Sequence, residues 1–164
     1  MEYYQGQPSP SLRLMNQNIE VFSMQHESRA VLISVHPKYV SKILSGKKRV
    51  EFRRVWAAQR VTHLVIYSTS PEMKVKATVG VEDVFTGSKA ALWEVAKEYG
   101  GGLTRNELRT YFDGVSKGHA IILSKINRLK ASLSLAEAIP GMRAPQSYVY
   151  LTNEQFESIQ SMTL

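Results

Sequence analysis

The chain has 164 residues, 43% hydrophobic and 21% charged, with 10 glycines and no cysteine; this describes one globular domain able to bury a core and excludes wholesale disorder, a fibrous repeat, a disulfide framework and a thiolate nucleophile. The longest stretch without a formal charge, Val61 to Pro71, is 11 residues, short of the roughly 18 to 20 that a membrane-spanning helix needs, so no membrane partner is expected. Between His36 and His63 stand Lys38, Lys42, Lys47, Lys48, Arg49, Arg53, Arg54 and Arg60 against Glu51 alone, so this window carries the whole net charge of +7; it fits contact with phosphates or another polyanion, or else a solvated face with no partner.

Residues 1–29 show no sustained period and include Gln5-Gly6-Gln7-Pro8-Ser9-Pro10, which predicts a flexible tail with at most a short helical piece near Asn16 to Gln25. The first residues offer neither a basic start nor an apolar run, so no secretory signal is expected and the default address is cytoplasmic. The folded domain is expected over 30–164. Ala30 to Val35 is short, apolar and rich in β-branched residues, the mark of a buried strand. Pro37 suits a first helical turn, Tyr39, Val40, Ile43 and Leu44 recur at helical spacing, and Gly46 ends that helix as a C-terminal cap would.

From Lys47 the period becomes two. Val50 and Phe52 are expected on a core face, with Arg49, Glu51 and Arg53 on a polar one. Val61 to Ser68 predicts a strand with Val65 and Tyr67 opposite Leu64 and Ile66. Lys74 to Phe85 predicts another, with Val75, Ala77, Val79 and Val81 on one face and Gly80 marking a bulge or a close approach by a ligand. Two helices, near Ser88 to Glu98 and Thr104 to Phe112, flank Gly100-Gly101-Gly102. His119 to Leu129 returns to strand, Ala131 to Ala138 reads as strand or helical turn, and Tyr148 to Leu151 is a short strand before a helix from Asn153 to Ser161 capped by Thr152. The irregular alternation predicts an α+β domain, a small mixed or antiparallel β-barrel of five or six strands wrapped by short helices.

No P-loop string occurs, and His26, His36, His63 and His119 are scattered without metal-ligand spacing, so no metal or other cofactor is expected. The helix-glycines-helix segment has the outline of a helix-turn-helix and raises a DNA-binding regulator as one alternative. Residues 88–117 carry a net of only +1 and a would-be recognition helix of about nine residues, which makes DNA the weaker expectation. Leu92, Trp93, Val95, Ala96, Leu108, Tyr111 and Phe112 are expected to pack the helices on the barrel, with a Trp or Tyr stacking on a base as the alternative.

The densest chemistry lies in Ser45-Gly46-Lys47-Lys48-Arg49-Val50-Glu51-Phe52-Arg53-Arg54. A carboxylate two residues from Arg49 and from Arg53 is favoured in its charged form. It accepts hydrogen bonds from a base edge while cations take phosphates or stack on the ring, or it belongs to a surface ion-pair ladder of little consequence.

Several strings resemble one family. Pro37-Lys38-Tyr39, Ile43-Leu44-Ser45-Gly46-Lys47-Lys48, Val50-Glu51-Phe52-Arg53-Arg54, Tyr67-Ser68, Val79-Gly80-Val81 and Gly118-His119-Ala120-Ile121 are similar to the ASCH domain of the PUA-like superfamily, and Pro145-Gln146-Ser147 before Tyr148 resembles the end of a bacterial subgroup. The resemblance covers about residues 30–151. It implies a PUA-like barrel with a cleft for RNA or a modified nucleotide, lined by Lys48, Glu51 and Arg53. Lys47, Arg49 and Arg54 are the expected phosphate contacts beside it. One branch of the family hydrolyses the acetyl amide of N4-acetylcytidine with a lysine, a threonine and a glutamate. Lys48 matches the lysine, Glu51 stands at the threonine position, and Gly100, Gly101 and Gly102 run through that of the glutamate. The expected function is therefore an RNA- or modified-nucleotide-binding protein with a basic cleft. A nucleoside amidohydrolase or a ribonuclease, with Lys48 and Glu51 as acid and base, is the enzymatic alternative.

Because the tail is turn-rich and aperiodic, deleting residues 1–28 should leave folding intact. Thermal melts of the full and shortened chains check this: a fall in midpoint well beyond roughly 4 °C, the equivalent of about 1 kcal/mol, means that the tail packs on the domain.

Overall fold

A computed structural model describes residues 29–164; the expected tail, apart from Arg29, and its helical piece lie outside the described residues. Among the described residues, six strands and five helices follow in the order β1 (Ala30–Val35), α1 (Pro37–Leu44), β2 (Val50–Arg53), β3 (His63–Ser68), β4 (Lys74–Gly87), α2 (Lys89–Tyr99), α3 (Arg105–Tyr111), β5 (Gly118–Leu133), α4 (Leu135–Ala138), β6 (Tyr148–Tyr150) and α5 (Asn153–Ser161). The strands form one mixed sheet in the order β2-β5-β4-β3-β1-β6. Only β1 and β3 run parallel, with Leu32 opposite Val65; the other pairs are antiparallel. The expected barrel is thus a curled half-barrel, with β2 and β6 as its edges.

The continuous apolar run of β1 reflects burial on both faces. Val31, Ile33 and Val35 join Leu64, Ile66, Ala77 and Val79 in a core beneath Val40 and Ile43 of α1. Ala30 and Leu32 face the opposite core, with Val65, Tyr67, Leu135, Phe156 and Ile159. A third core joins Val50 and Phe52 to Leu92, Val95 and Ala96 of α2 and to Leu108 and Phe112 at α3. The helix-glycines-helix segment therefore packs onto the sheet. No helix among the described residues is long and apolar enough to cross a membrane.

Alternation in β4 departs from the expected single face. Ile66 pairs with Ala77 but Tyr67 with Val75, which leaves Lys76 as an extra residue. That bulge turns Val75 into the second core while Ala77 and Val79 stay in the first. A second register shift lies between Val79 and Val81, and a Cβ at Gly80 would strike the Ser124 hydroxyl. Gly80 thus sits opposite a bulge in β5, where Ser124 and Lys125 stand against this one residue. The uncertain segment from Ala131 resolves into both readings: β5 continues to Leu133, and α4 follows under a Ser134–Glu137 capping box.

The third core locks α3 to the sheet through Phe112, which is fully buried and meets Phe52 edge-to-face at 6.2 Å. Such a pair contributes about 0.5–1.5 kcal/mol beyond its area. A Cβ at Gly118, on the neighbouring strand, would fall inside van der Waals contact of the Phe112 ring. Gly118→Ala should therefore destabilise the fold by about 1–3 kcal/mol, and urea unfolding of Gly118→Ala, Phe112→Leu and the double variant checks it: the added methyl should cost less beside leucine than beside the phenyl ring.

Candidate nucleotide-binding cavity

Where β1 ends, the chain turns through His36 into α1 beside edge strand β2. His36 caps the helix, its Nδ1 accepting from Lys38 N at 3.1 Å, and Pro37 occupies the first turn. At the other end Gly46, at φ +76°, takes the left-handed position that closes α1. Lys48 N then donates to Lys42 O at 2.9 Å, and Arg49 N donates to Gly100 O at 2.8 Å. This return brings Lys48 under the α2–α3 glycine loop. The Lys48 stem crosses Gly102 so closely that a Cβ there would lie 2.7 Å from the Lys48 Cβ; only glycine fits that crossing.

Lys48, Glu51 and Arg53 come together at the floor of a cavity of about 180 Å³ that opens to solvent. Their exposures are only 2%, 7% and 6%. The expected polar face of β2 is therefore an interior one. Glu51 Oε1 lies 3.1 Å from Arg53 Nη2, an ion pair, and its Oε2 lies 3.7 Å from the Lys48 ammonium. Each cation is also anchored to backbone: Lys48 Nζ donates to Gly101 O at 2.8 Å, and Arg53 Nη2 to Ser34 O at 2.9 Å. The Lys48 ammonium stands 5.1 Å from the ring centres of both Tyr39 and Phe52.

The other walls are Ser34, Val35, His36, Tyr39, Leu103, Glu107 and Tyr111. Lys38 and Glu107 pair at 2.5 Å and tie α1 to α3. That ion pair, with the hydrogen bond from the Thr104 backbone, lowers the Glu107 carboxyl to about 2. Burial raises the phenols of Tyr39 and Tyr111 above the usual tyrosine value. The cavity's charges balance, Lys48 and Arg53 against Glu51 and Glu107.

This corrects one feature of the expected site. Glu51 sits between Lys48 and Arg53 rather than between Arg49 and Arg53, because the chain at Arg49 is still leaving the turn and strand alternation begins only at Val50. Lys47, Arg49 and Arg54, expected beside the cleft, are exposed and lie outside the cavity lining; Arg54 donates to the backbone oxygen of the wall residue Tyr111 at 3.3 Å. Sequence reading missed His36, Glu107 and Leu103 as wall residues. Tyr39 and Tyr111 were legible only as apolar positions on helices, with base stacking as the alternative for Tyr111. A larger hollow of about 480 Å³ beside β4, lined by Arg60, Glu82, Asp83 and His119 among others, holds none of the expected site residues. His63 packs against Phe156 at 4.8 Å, where burial lowers its pKa, and His119 meets Thr86.

A curled mixed half-barrel wrapped by short helices, with a charged cavity where β1 meets α1, is the PUA-like architecture. The ASCH domain model matches residues 33–138, and the chain belongs to the ASCH family. An ASCH domain-containing ribonuclease from Zymomonas mobilis is 29% identical over 142 residues, 84% of this chain and 94% of that protein. A crystal structure of ASCH from the same organism superposes with a TM-score of 0.73 at 28% identity, over 82% of this chain and 96% of that one. The N-terminal domain of Staphylothermus marinus McrB shares the fold, with a TM-score of 0.55 at 10% identity over 82% of this chain and 94% of that chain.

Burial holds the Lys48 amine below the usual lysine value, and Glu51 opposes the fall. The folded state therefore binds this proton less tightly than the unfolded chain, so Lys48's contribution to stability rises with pH from its lowered pKa up to 10.5 and is lost as pH falls through that lowered value. In an NMR titration of isotope-labelled lysines, Lys48 should be the first to lose its proton, and Glu51→Gln should move that step to still lower pH. A Lys48 titration unaffected by Glu51→Gln would mean that the two groups do not interact.

Proposed function

We propose that this ASCH domain binds RNA by seating one pyrimidine-sized base, free or modified, in the cavity over Lys48, Glu51 and Arg53. The observation that carries the reading is the buried carboxylate flanked by two buried cations at the floor of an open, partly aromatic cavity. A cavity of about 150 Å³ holds a benzene ring, so this one suits a single six-membered heterocycle. Glu51 accepts from an exocyclic amino or ring imino group, and the cations offer donors to neighbouring ring acceptors. A cytosine edge presents that sequence of one donor beside two acceptors. The charge balance suits a neutral base rather than a phosphate, which leaves backbone contacts to exposed cations such as Lys47, Arg49 and Arg54. An RNA ligand and a cysteine-free chain fit a cytoplasmic address.

A second reading is cleavage of the bound RNA, favoured by the ribonuclease from Zymomonas mobilis, to which the chain is similar over nearly its whole length. Transesterification requires a base for the 2′-hydroxyl proton and an acid for the leaving 5′-oxygen. Glu51 and Lys48 are the pair that the cavity offers, and an amine of lowered pKa is suited to proton transfer. Deacetylation of N4-acetylcytidine is not expected, since Lys48 alone matches the groups that branch uses.

Calorimetric titration with cytidine and short RNA should give binding that weakens about tenfold in Glu51→Gln, the loss of a hydrogen bond to a charged group. Unchanged affinity in both Glu51→Gln and Lys48→Ala would place the ligand elsewhere. Incubation with labelled RNA and with N4-acetylcytidine separates the enzymatic readings. Cleavage abolished by Lys48→Ala establishes the ribonuclease, whereas acetate release contradicts the expectation for this chain.

A further inference from the structure

Helix α3 is a partition with a cavity on one side and a groove on the other. Its Glu107 and Tyr111 line the cavity, whereas Arg105, Leu108 and Arg109 line a groove of about 180 Å³ closed by Lys89, Ala90 and Trp93 of α2. The ionisable groups of this groove are all cations, in contrast to the balanced charges of the cavity. No side-chain ion pair or hydrogen bond joins Lys89, Arg105 or Arg109 to another described residue. The nearby Glu94 is committed to Lys97, at 2.8 Å.

The placement of two of these cations is unfavourable for the helices themselves. Lys89 is the first residue of α2 and Arg105 the first of α3, where the helix dipole favours an anion and opposes a cation. Helix stability therefore does not account for them. Trp93 is half-buried, packed against the third core and also lining the groove. An indole beside three uncompensated cations has the composition of a single-strand nucleic-acid site: the aromatic ring stacks on a base and the cations hold phosphates.

We propose that the α2–α3 groove is a second nucleotide subsite, which binds the phosphate backbone of single-stranded RNA through Lys89, Arg105 and Arg109 and stacks one base on Trp93. The strand crosses α3, with another of its bases in the cavity on the far side; the proposal rests on the reading of that cavity as an RNA site. The two subsites divide the work by charge. The balanced cavity reads a base edge, and the cationic groove supplies affinity independent of sequence. A single strand is required, because stacking on Trp93 needs an unpaired base. Duplex DNA is not, since α3 has seven residues and is engaged on both sides.

The test titrates the full chain with a cytidine dinucleotide and with longer oligocytidylates at several salt concentrations. Arg105→Ala/Arg109→Ala should leave dinucleotide binding and the melting midpoint unchanged, since both side chains are exposed. It should weaken the longer oligonucleotides and flatten their salt dependence by about 1.4 log units per log unit of salt, roughly 0.7 for each phosphate released. Trp93→Ala should weaken the longer oligonucleotides about fivefold or more. In a Trp56→Phe background, the fluorescence of Trp93 should be quenched by the longer ligands and not by the dinucleotide. The subsite is overturned by an unchanged salt slope in the double variant, by equal losses for short and long ligands, or by duplex DNA that binds more tightly than RNA through the same arginines. If Glu51→Gln affects no ligand while the arginine variant weakens the longer ones, the cavity reading fails and the groove stands; the reverse pattern retires the groove alone.

Discussion

The structure turns on one carboxylate. Glu51 is buried beneath an open cavity with Arg53 at 3.1 Å and Lys48 at 3.7 Å. Removing charged groups from water carries a desolvation cost that mutual attraction offsets only when geometry and further hydrogen bonds are favourable. Here the further bonds come from backbone carbonyls, Gly101 O for Lys48 and Ser34 O for Arg53. Remote parts of the chain must therefore be in place before the triad is satisfied: the end of β1, edge strand β2 and the loop of glycines between α2 and α3. Buried ion pairs are weak evidence of stability for its own sake. Their position at the floor of a solvent-accessible cavity is instead what a ligand site requires.

The fold supplies this site through its edges. Strand β2 is paired only with β5, so its outer side is free to bear the cavity. Helix α1 brings Tyr39 and His36 to one wall, α3 brings Glu107 and Tyr111 to the other, and the Lys38–Glu107 pair spans them. That surface pair is worth little energetically. It does set the relative position of the two helices at the cavity. The third core fixes α2 and α3 on the sheet, and the same packing shapes the groove on the far side of α3.

Much of the fold was legible because its signals are local. β1 reads as buried from its unbroken apolar run, Gly46 as a helix terminator from its position after Leu44, and α5 from Thr152 and the residues that follow. The face of Val75 was not legible, because the Lys76 bulge that moves it is a property of strand pairing. The string from Lys48 to Arg53 contains the three charged residues that the fold brings together at the cavity floor, but alternation alone placed Glu51 and Arg53 on a polar face of the strand rather than an interior one. Their burial depends on α3, more than fifty residues away in the sequence. Charge counting was misleading in a comparable way. It assigned the net positive charge to the segment from His36 to His63, whereas folding brings that segment's two buried cations together with two carboxylates. Conversely, the segment 88–117, with a net charge of only +1, presents three of its cations to one groove.

A crystal structure of the full chain with a cytidine-containing oligonucleotide decides whether the cavity over Glu51 seats a nucleobase. One base should stand with its donor edge within hydrogen-bond distance of the Glu51 carboxylate and its ring against the aromatic wall of Tyr39 and Tyr111. An oligonucleotide bound in the hollow beside β4, or only along the outer surface, with no base against Glu51, would contradict this reading.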